Sequence, residues 1–148
     1  MKEKILIIQT AFLGDAVLTL PMIQKLKEIF PNSSISVLCI PSTKEIFDHS
    51  SYVDEVIVYD KRDKQKSLSS FIGLIKLIRK NKFSRIYSPH RSFRTSMLVL
   101  FSGTGTTFGF DISSCSFIYK TRIKYFSSKH EVARNLDLIQ YDTSNEKW

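Results

Sequence analysis

Residues 4–21 read KILIIQTAFLGDAVLTLP, and the first six of them decide the fold. Lys4-Ile5-Leu6-Ile7-Ile8-Gln9 is nearly all aliphatic, the pattern of a strand buried on both faces of a parallel sheet rather than one that alternates between core and water. Gly14-Asp15 then marks a turn, and Val17, Leu20, Ile23, Leu26 and Phe30 recur at helical spacing up to the stop at Pro31-Asn32. The unit is strand, loop, helix, with the strand at the centre of its sheet. Pro21 falls inside the helical pattern, so the helix is expected to kink there or to begin at the proline.

The alternation continues along the chain. Strands are predicted at Ile35–Ile40, Glu55–Tyr59, Ser84–Tyr87 and Thr106–Phe110, and helices from Pro41-Ser42 through Phe47 and over Leu68–Asn81, Phe93–Phe101 and His130–Ile139. Ser42 or Thr43 is available to cap the first of these helices. Asp60–Ser67 is charged throughout and reads as an exposed loop, and Gly103-Thr104-Gly105 as another, since no third glycine follows it at the spacing of a nucleotide-binding turn. Strands alternating with helices imply right-handed βαβ crossovers, and so an α/β, Rossmann-like, mainly parallel sheet with helices on both faces.

In such sheets ligands bind beyond the carboxyl ends of the strands. That directs attention to the loop Gln9–Asp15, to Pro41–Lys44, to Ser88–Arg94 and to the segment after Phe110. Asp15 is the leading candidate for a general base, its plainer reading being an ordinary helix cap. Gly14 lets backbone come close to a ligand, and Thr10 shares the same loop. His90, Arg91 and Arg94 follow a strand, where forked guanidinium groups suit phosphate or carboxylate. Lys120, Arg122 and Lys124 alternate, so an extended backbone puts all three on one face, either for an anionic ligand or as a solvated edge strand. His130 and Arg134 share a helix face, with a helix-start role open for His130. His49 lacks supporting neighbours and reads as a surface histidine.

Composition sets the outer limits. The chain has 148 residues, 43% of them hydrophobic and 24% charged, the size and balance of one folded domain. Lys and Arg outnumber Asp and Glu by 22 to 14, a net charge of +8 that favours anionic partners. Most of these cations, Lys25, Lys27, Lys61, Arg62, Lys64, Lys66, Arg79, Lys80 and Lys82 among them, fall on helix faces or loops and read as solvated surface. Nucleic acid is disfavoured as a partner because no helix-turn-helix, RNA-binding signature or zinc spacing occurs. Dinucleotide redox chemistry is disfavoured because G-x-G-x-x-G is missing after the first strand. Cys39 and Cys115 have no metal or disulfide spacing and read as idle thiols of a reducing compartment, so no metal and no cofactor is expected. No apolar run reaches the length of a spanning helix and residues 1–14 lack a cleavage pattern, so a cytoplasmic protein is expected, with peripheral contact at the inner-membrane surface as its furthest membrane involvement.

The stretch Lys4–Pro21 resembles the opening of glycosyltransferase family nine, the lipopolysaccharide heptosyltransferases. Tyr87-Ser88-Pro89-His90-Arg91-Ser92, Phe108-Gly109-Phe110 and His130-Glu131-Val132-Ala133-Arg134-Asn135 fall where that family has similar features. The resemblance implies the amino-terminal half of a GT-B fold, with residues 1–140 as an acceptor-binding lobe and the polar residues 141–148 leading toward a donor-binding lobe that is missing here. It implies transfer of heptose or a related sugar from an ADP-heptose-like nucleotide-sugar, held only by that other lobe, to an anionic glycolipid or lipopolysaccharide-core acceptor. It also places the catalytic base on Asp15, with inverting, metal-independent chemistry. Thr10, Gly14, His90, Arg91, Arg94, Lys120 and Arg122 are then the candidate acceptor contacts. The alternative is a truncated glycan-binding module without catalysis, and on either reading this chain alone is expected to be inactive.

Overall fold

The computed structural model describes residues 2–60 and 68–141. The expected loop cations Lys61, Arg62, Lys64 and Lys66 and the tail 142–148 lie outside the described residues. The elements are β1 (Lys4–Ile8), α1 (Leu13–Ile29), β2 (Ser34–Cys39), α2 (Lys44–Asp48), β3 (Glu55–Val58), α3 (Leu68–Asn81), β4 (Arg85–Ser88), α4 (Phe93–Phe101), β5 (Thr107–Phe110), β6 (Thr121–Ile123) and α5 (Glu131–Leu138). The six strands form one sheet in the order β3-β2-β1-β4-β5-β6, and every neighbouring pair is parallel.

β1 lies between β2 and β4, as its aliphatic run demands: Ile5, Leu6, Ile7 and Ile8 are all fully buried. Alternate residues feed two cores. Ile5 and Ile7 meet α1, α2 and α5 through Met22, Ile23, Leu26, Phe47 and Leu136. Leu6 and Ile8 meet α3 and α4 through Leu74, Ile78, Leu98 and Val99. Sequential burial of this kind is the signature of a sheet covered on both faces.

Two local expectations are corrected. α1 begins at Leu13, which overturns a start at Pro21, and it carries the proline inside it, as the other alternative of a helix running through that residue requires. Proline removes one backbone donor, but the buried row Ala16, Thr19, Met22, Ile23 and Leu26 keeps the segment helical on the sheet, so packing overrides the local signal. Thr43 holds the N-cap position of α2, but neither its side chain nor that of Ser42 makes a capping bond. Pro41–Thr43 forms a 3-10 turn leading into α2, and the Thr43 hydroxyl donates back to the Ile40 carbonyl at 3.2 Å. The stretch around Arg122 is extended, as the alternation of its cations requires, and forms β6 at the sheet edge.

Gly109 in β5 has a packing reason to be glycine. A Cβ there would meet the Tyr119 ring at 2.5 Å, so the bare backbone is what lets that buried ring lie close on the strand.

Candidate functional site

β1 and β4 are neighbours whose connections leave in opposite directions. The chain after β1 enters α1 on one face of the sheet, and the chain after β4 enters α4 on the other. The carboxyl ends of this pair therefore open a crevice, the switch point of a doubly wound sheet. Side chains from both loops meet across it. Thr10 Oγ1 lies 2.9 Å from His90 Nδ1, and the same nitrogen lies 3.0 Å from Thr95 Oγ1. Ser92 continues the chain of polar groups: its hydroxyl donates to Thr95 Oγ1 at 3.0 Å and accepts the Thr95 backbone N–H at 3.1 Å, capping α4.

Gln9 fixes the other side of the crevice. It is buried, its side-chain amide donates to Thr19 Oγ1 in α1 at 2.9 Å, and its side-chain carbonyl oxygen accepts from the Ala11 N–H. The Thr19 hydroxyl in turn donates to the Asp15 carbonyl at 2.7 Å. The loop 9–15 is thus held by one glutamine and one threonine.

Asp15 stands in the first turn of α1, where open backbone N–H groups favour an acidic side chain. The helix cap is Phe12, with no side-chain cap bond, so Asp15 is not the capping residue that its plainer reading made it. Its side chain and Gly14 are exposed, and among the described residues its carboxylate has no ion pair. Nothing lies within 4 Å of the position a Cβ would take at Gly14, so the approach beside Asp15 is open.

A cleft of about 350 Å³ at the crevice is lined by Thr10, Tyr59, Ser92, Phe93, Arg94, Thr95 and Leu98. The Arg94 guanidinium lies 6.0 Å from the Tyr59 ring centre. Thr10, His90 and Arg94 therefore gather in one place, as their positions after strands predict. Asp15 and Gly14 are on the α1 side of the crevice, outside the lining.

Arg91 belongs to a second cluster. Its guanidinium stacks at 4.7 Å from the Tyr125 ring centre, and Arg134 approaches the same ring at 4.8 Å. Arg134 is tied down by the segment before α5, donating to the Lys129 carbonyl at 2.6 Å and pairing with Glu131. His130 caps α5, its Nδ1 accepting the Val132 N–H at 3.1 Å, so its role is that of a helix start. Lys120, Arg122 and Lys124 are all exposed and alternate with half-buried Thr121, Ile123 and Tyr125 along the edge strand, which puts the three cations on one face, apart from the cleft. His49 is exposed and its Nδ1 lies 2.7 Å from the Glu45 carbonyl. Burial pushes the Cys39 thiol up to about 11, the pKa of an inert core cysteine. Among the described residues no His, Cys, Asp and Glu side chains are grouped to hold a metal ion.

Tyr59, Ser92, Thr95 and Leu98 line the cleft without standing out individually in the sequence. Ser92 carries a readable signal, since serine just before an apolar helical run is a preferred N-cap, whereas Thr95 carries none. Tyr59 carries none beyond its place just after a strand.

This architecture recurs in solved glycosyltransferases. The glycosyl transferase family 9 protein from Veillonella parvula superposes with a TM-score of 0.78 at 22% identity, over 93% of this chain and 40% of that one. Escherichia coli heptosyltransferase WaaC with ADP gives 0.80 at 17% identity, over 97% and 49%. Escherichia coli ADP-heptose lps heptosyltransferase II gives 0.81 at 19% identity, over 95% and 40%. In sequence, lipopolysaccharide heptosyltransferase 3 of Escherichia coli is 30% identical over 90 residues. The chain is similar to heptosyltransferases in fold and, over part of its length, in sequence. No family model matches it. The matched stretch is 60% of this chain and 26% of heptosyltransferase 3, and the chain spans half or less of each solved heptosyltransferase that it resembles. The parallel Rossmann-like sheet read from the sequence is the sheet of those structures.

Proposed function

We propose that this chain is the acceptor-binding, amino-terminal lobe of an inverting heptosyltransferase-like glycosyltransferase, half of a GT-B fold, with Asp15 as its general base. The observation that carries the reading is the crevice between β1 and β4, where an exposed first-turn carboxylate stands beside a cleft with an arginine and a threonine–histidine contact in it. In this reading a ligand across the carboxyl ends of β1 and β4 meets the cation and hydroxyl groups in the cleft and the acid on its α1 side.

The acceptor in this reading is an anionic glycolipid or lipopolysaccharide-core sugar. Arg94 takes its phosphate or carboxylate group by charge-assisted hydrogen bonds, with Arg91, Lys120 and Arg122 as more distant cations along the same half of the molecule. Thr10 and His90 bind hydroxyls. Asp15 takes the proton of the attacking hydroxyl while the new carbon–oxygen bond forms at the anomeric carbon. The bond to the nucleotide breaks on the opposite face, and its electron pair leaves with the phosphate. Inversion needs one such carboxylate and no covalent sugar intermediate.

The donor belongs to a second lobe. WaaC has been solved with ADP and with ADP-2-deoxy-2-fluoro heptose, which supports an ADP-activated sugar for this chain's reaction also. Productive alignment of both substrates supplies much of the rate, so residues 1–148 by themselves are expected to be inactive. The test joins this chain to the donor lobe of a heptosyltransferase and measures transfer. Asp15→Asn should lower kcat by about 10²–10⁴ while leaving acceptor binding intact, the scale of general-base catalysis. Retained turnover in that variant would remove Asp15 from the mechanism.

A further inference from the structure

The sequence between Asp63 and Asp111 contains no acidic residue and nine Lys or Arg. The fold gathers the helices of this stretch into one layer. α3 and α4 lie on the same face of the sheet, packed through Leu74, Ile78, Leu98 and Val99, and Arg79 of α3 reaches the last carbonyl of α4, that of Phe101, at 2.9 Å.

Their outward side exposes apolar side chains together with basic ones and no acid. Leu68 is 75% exposed, Phe93 59%, Leu100 and Phe101 48%, and Ile72 and Leu77 41%. Lys76, Arg79, Lys80 and Arg94 stand among them, all exposed. Among the described residues Lys76 and Lys80 form no ion pair.

We infer that the α3/α4 layer is a docking face for an anionic phospholipid bilayer. Exposed aliphatic and aromatic side chains gain by entering the boundary between headgroups and acyl chains, and cations around them are drawn to a negative leaflet. No described helix is long and apolar enough to cross a membrane, so the face lies on the bilayer. Charge complementarity selects this occupant. Two copies of the chain meeting through this face would set like charges against each other. A nucleic acid would satisfy the cations and leave the leucines, isoleucine and phenylalanines without apolar partners.

Phe93 and Arg94 belong both to this face and to the lining of the cleft. A membrane-anchored acceptor would then arrive at the rim of the site. That consequence rests on the proposed function, whereas the docking face does not.

The test is co-sedimentation of the purified chain with phosphatidylglycerol-rich vesicles and with pure phosphatidylcholine vesicles. Binding to the first, weakening with salt, and none to the second is expected. K76E/K80E and, separately, I72S/L100S should each weaken the partition by about tenfold or more, on the scale of a few cations or a few buried apolar groups. K25E/K44E on the opposite layer should leave it unchanged. All six positions are outside the core, and circular dichroism checks each fold. Absence of vesicle binding, equal binding to both vesicles, or binding indifferent to both α3/α4 variants overturns the inference. So does self-association or duplex-DNA binding that is lost in those variants while vesicles are ignored. Because no transfer is measured, failure here leaves the assignment of Asp15 standing.

Discussion

α1, α2 and α5, on one face of the sheet, carry four cations and six acids, whereas α3 and α4, on the other, carry four cations and no acid. The first layer neutralises itself. Lys25 pairs with Glu28, Lys44 with Asp48 and Arg134 with Glu131, and Lys27 reaches Asp54 at the end of the sheet. The second leaves its charge standing, beside apolar side chains of α3 and α4 that water also reaches. Both layers bury comparable cores, so folding alone does not require the asymmetry. A surface that keeps one sign of charge accepts self-repulsion in exchange for attraction to something else.

The asymmetry is one of surfaces, so the two cores should respond alike. Phe47→Ala, in α2, and Leu98→Ala, in α4, remove side chains that are at most 1% exposed. Each should cost about 3–5 kcal/mol by chemical denaturation, the range for large-to-small changes that leave a cavity. If one layer tolerated its deletion, the sheet would have a single working core.

Gly109→Ala should come next, at about 1–3 kcal/mol, because the added Cβ falls at 2.5 Å from the Tyr119 ring and the ring must shift. Asp54 probes the self-neutralised layer. Burial pushes its carboxyl up, but the Ile35 N–H at 2.8 Å and the Lys27 ammonium outweigh that and leave it below the ordinary carboxylate value. A group depressed in the folded state stabilises above its unfolded pKa and loses that contribution as pH falls through the folded one. Asp54→Asn should therefore lower stability at neutral and alkaline pH, where the carboxylate's contribution is present, and converge with the parent chain in acid, which flattens the acid limb of a stability–pH curve. The smallest effect separates the surfaces themselves. K44E breaks a pair and should lower the denaturation midpoint slightly, while K76E relieves repulsion and should leave it unchanged or raise it slightly. Equal penalties at both positions would erase the contrast.

Much of this fold is legible in the sequence because its elements carry their own periodicity. The aliphatic run of β1 and the helices α3 and α4 fall at the residues that their patterns predict. α1 is misread at its start because Pro21 speaks locally for a break, whereas the stripe from Ala16 to Leu26 that holds it helical depends on a sheet formed by distant strands. β6 is only three residues long and leaves its cations in water, so no buried pattern announces it. The site divides the same way. Thr10, His90 and Arg94 are found because each lies just past the carboxyl end of a parallel strand. Tyr59 and Thr95 join the cleft only through the packing of β3 and α4, and the stacking of Arg91 on Tyr125 depends on loops that meet in space.

If this lobe takes the acceptor and leaves the nucleotide-sugar to another, its ligand preference is visible without any turnover. Calorimetric titration of the purified chain with a soluble inner-core oligosaccharide carrying its anionic groups, and separately with ADP-heptose, reads that preference. Heat from the oligosaccharide, weakened in Arg94→Ala, is expected, with none from ADP-heptose. Binding of ADP-heptose by this chain alone, or silence toward the oligosaccharide, would contradict the assignment.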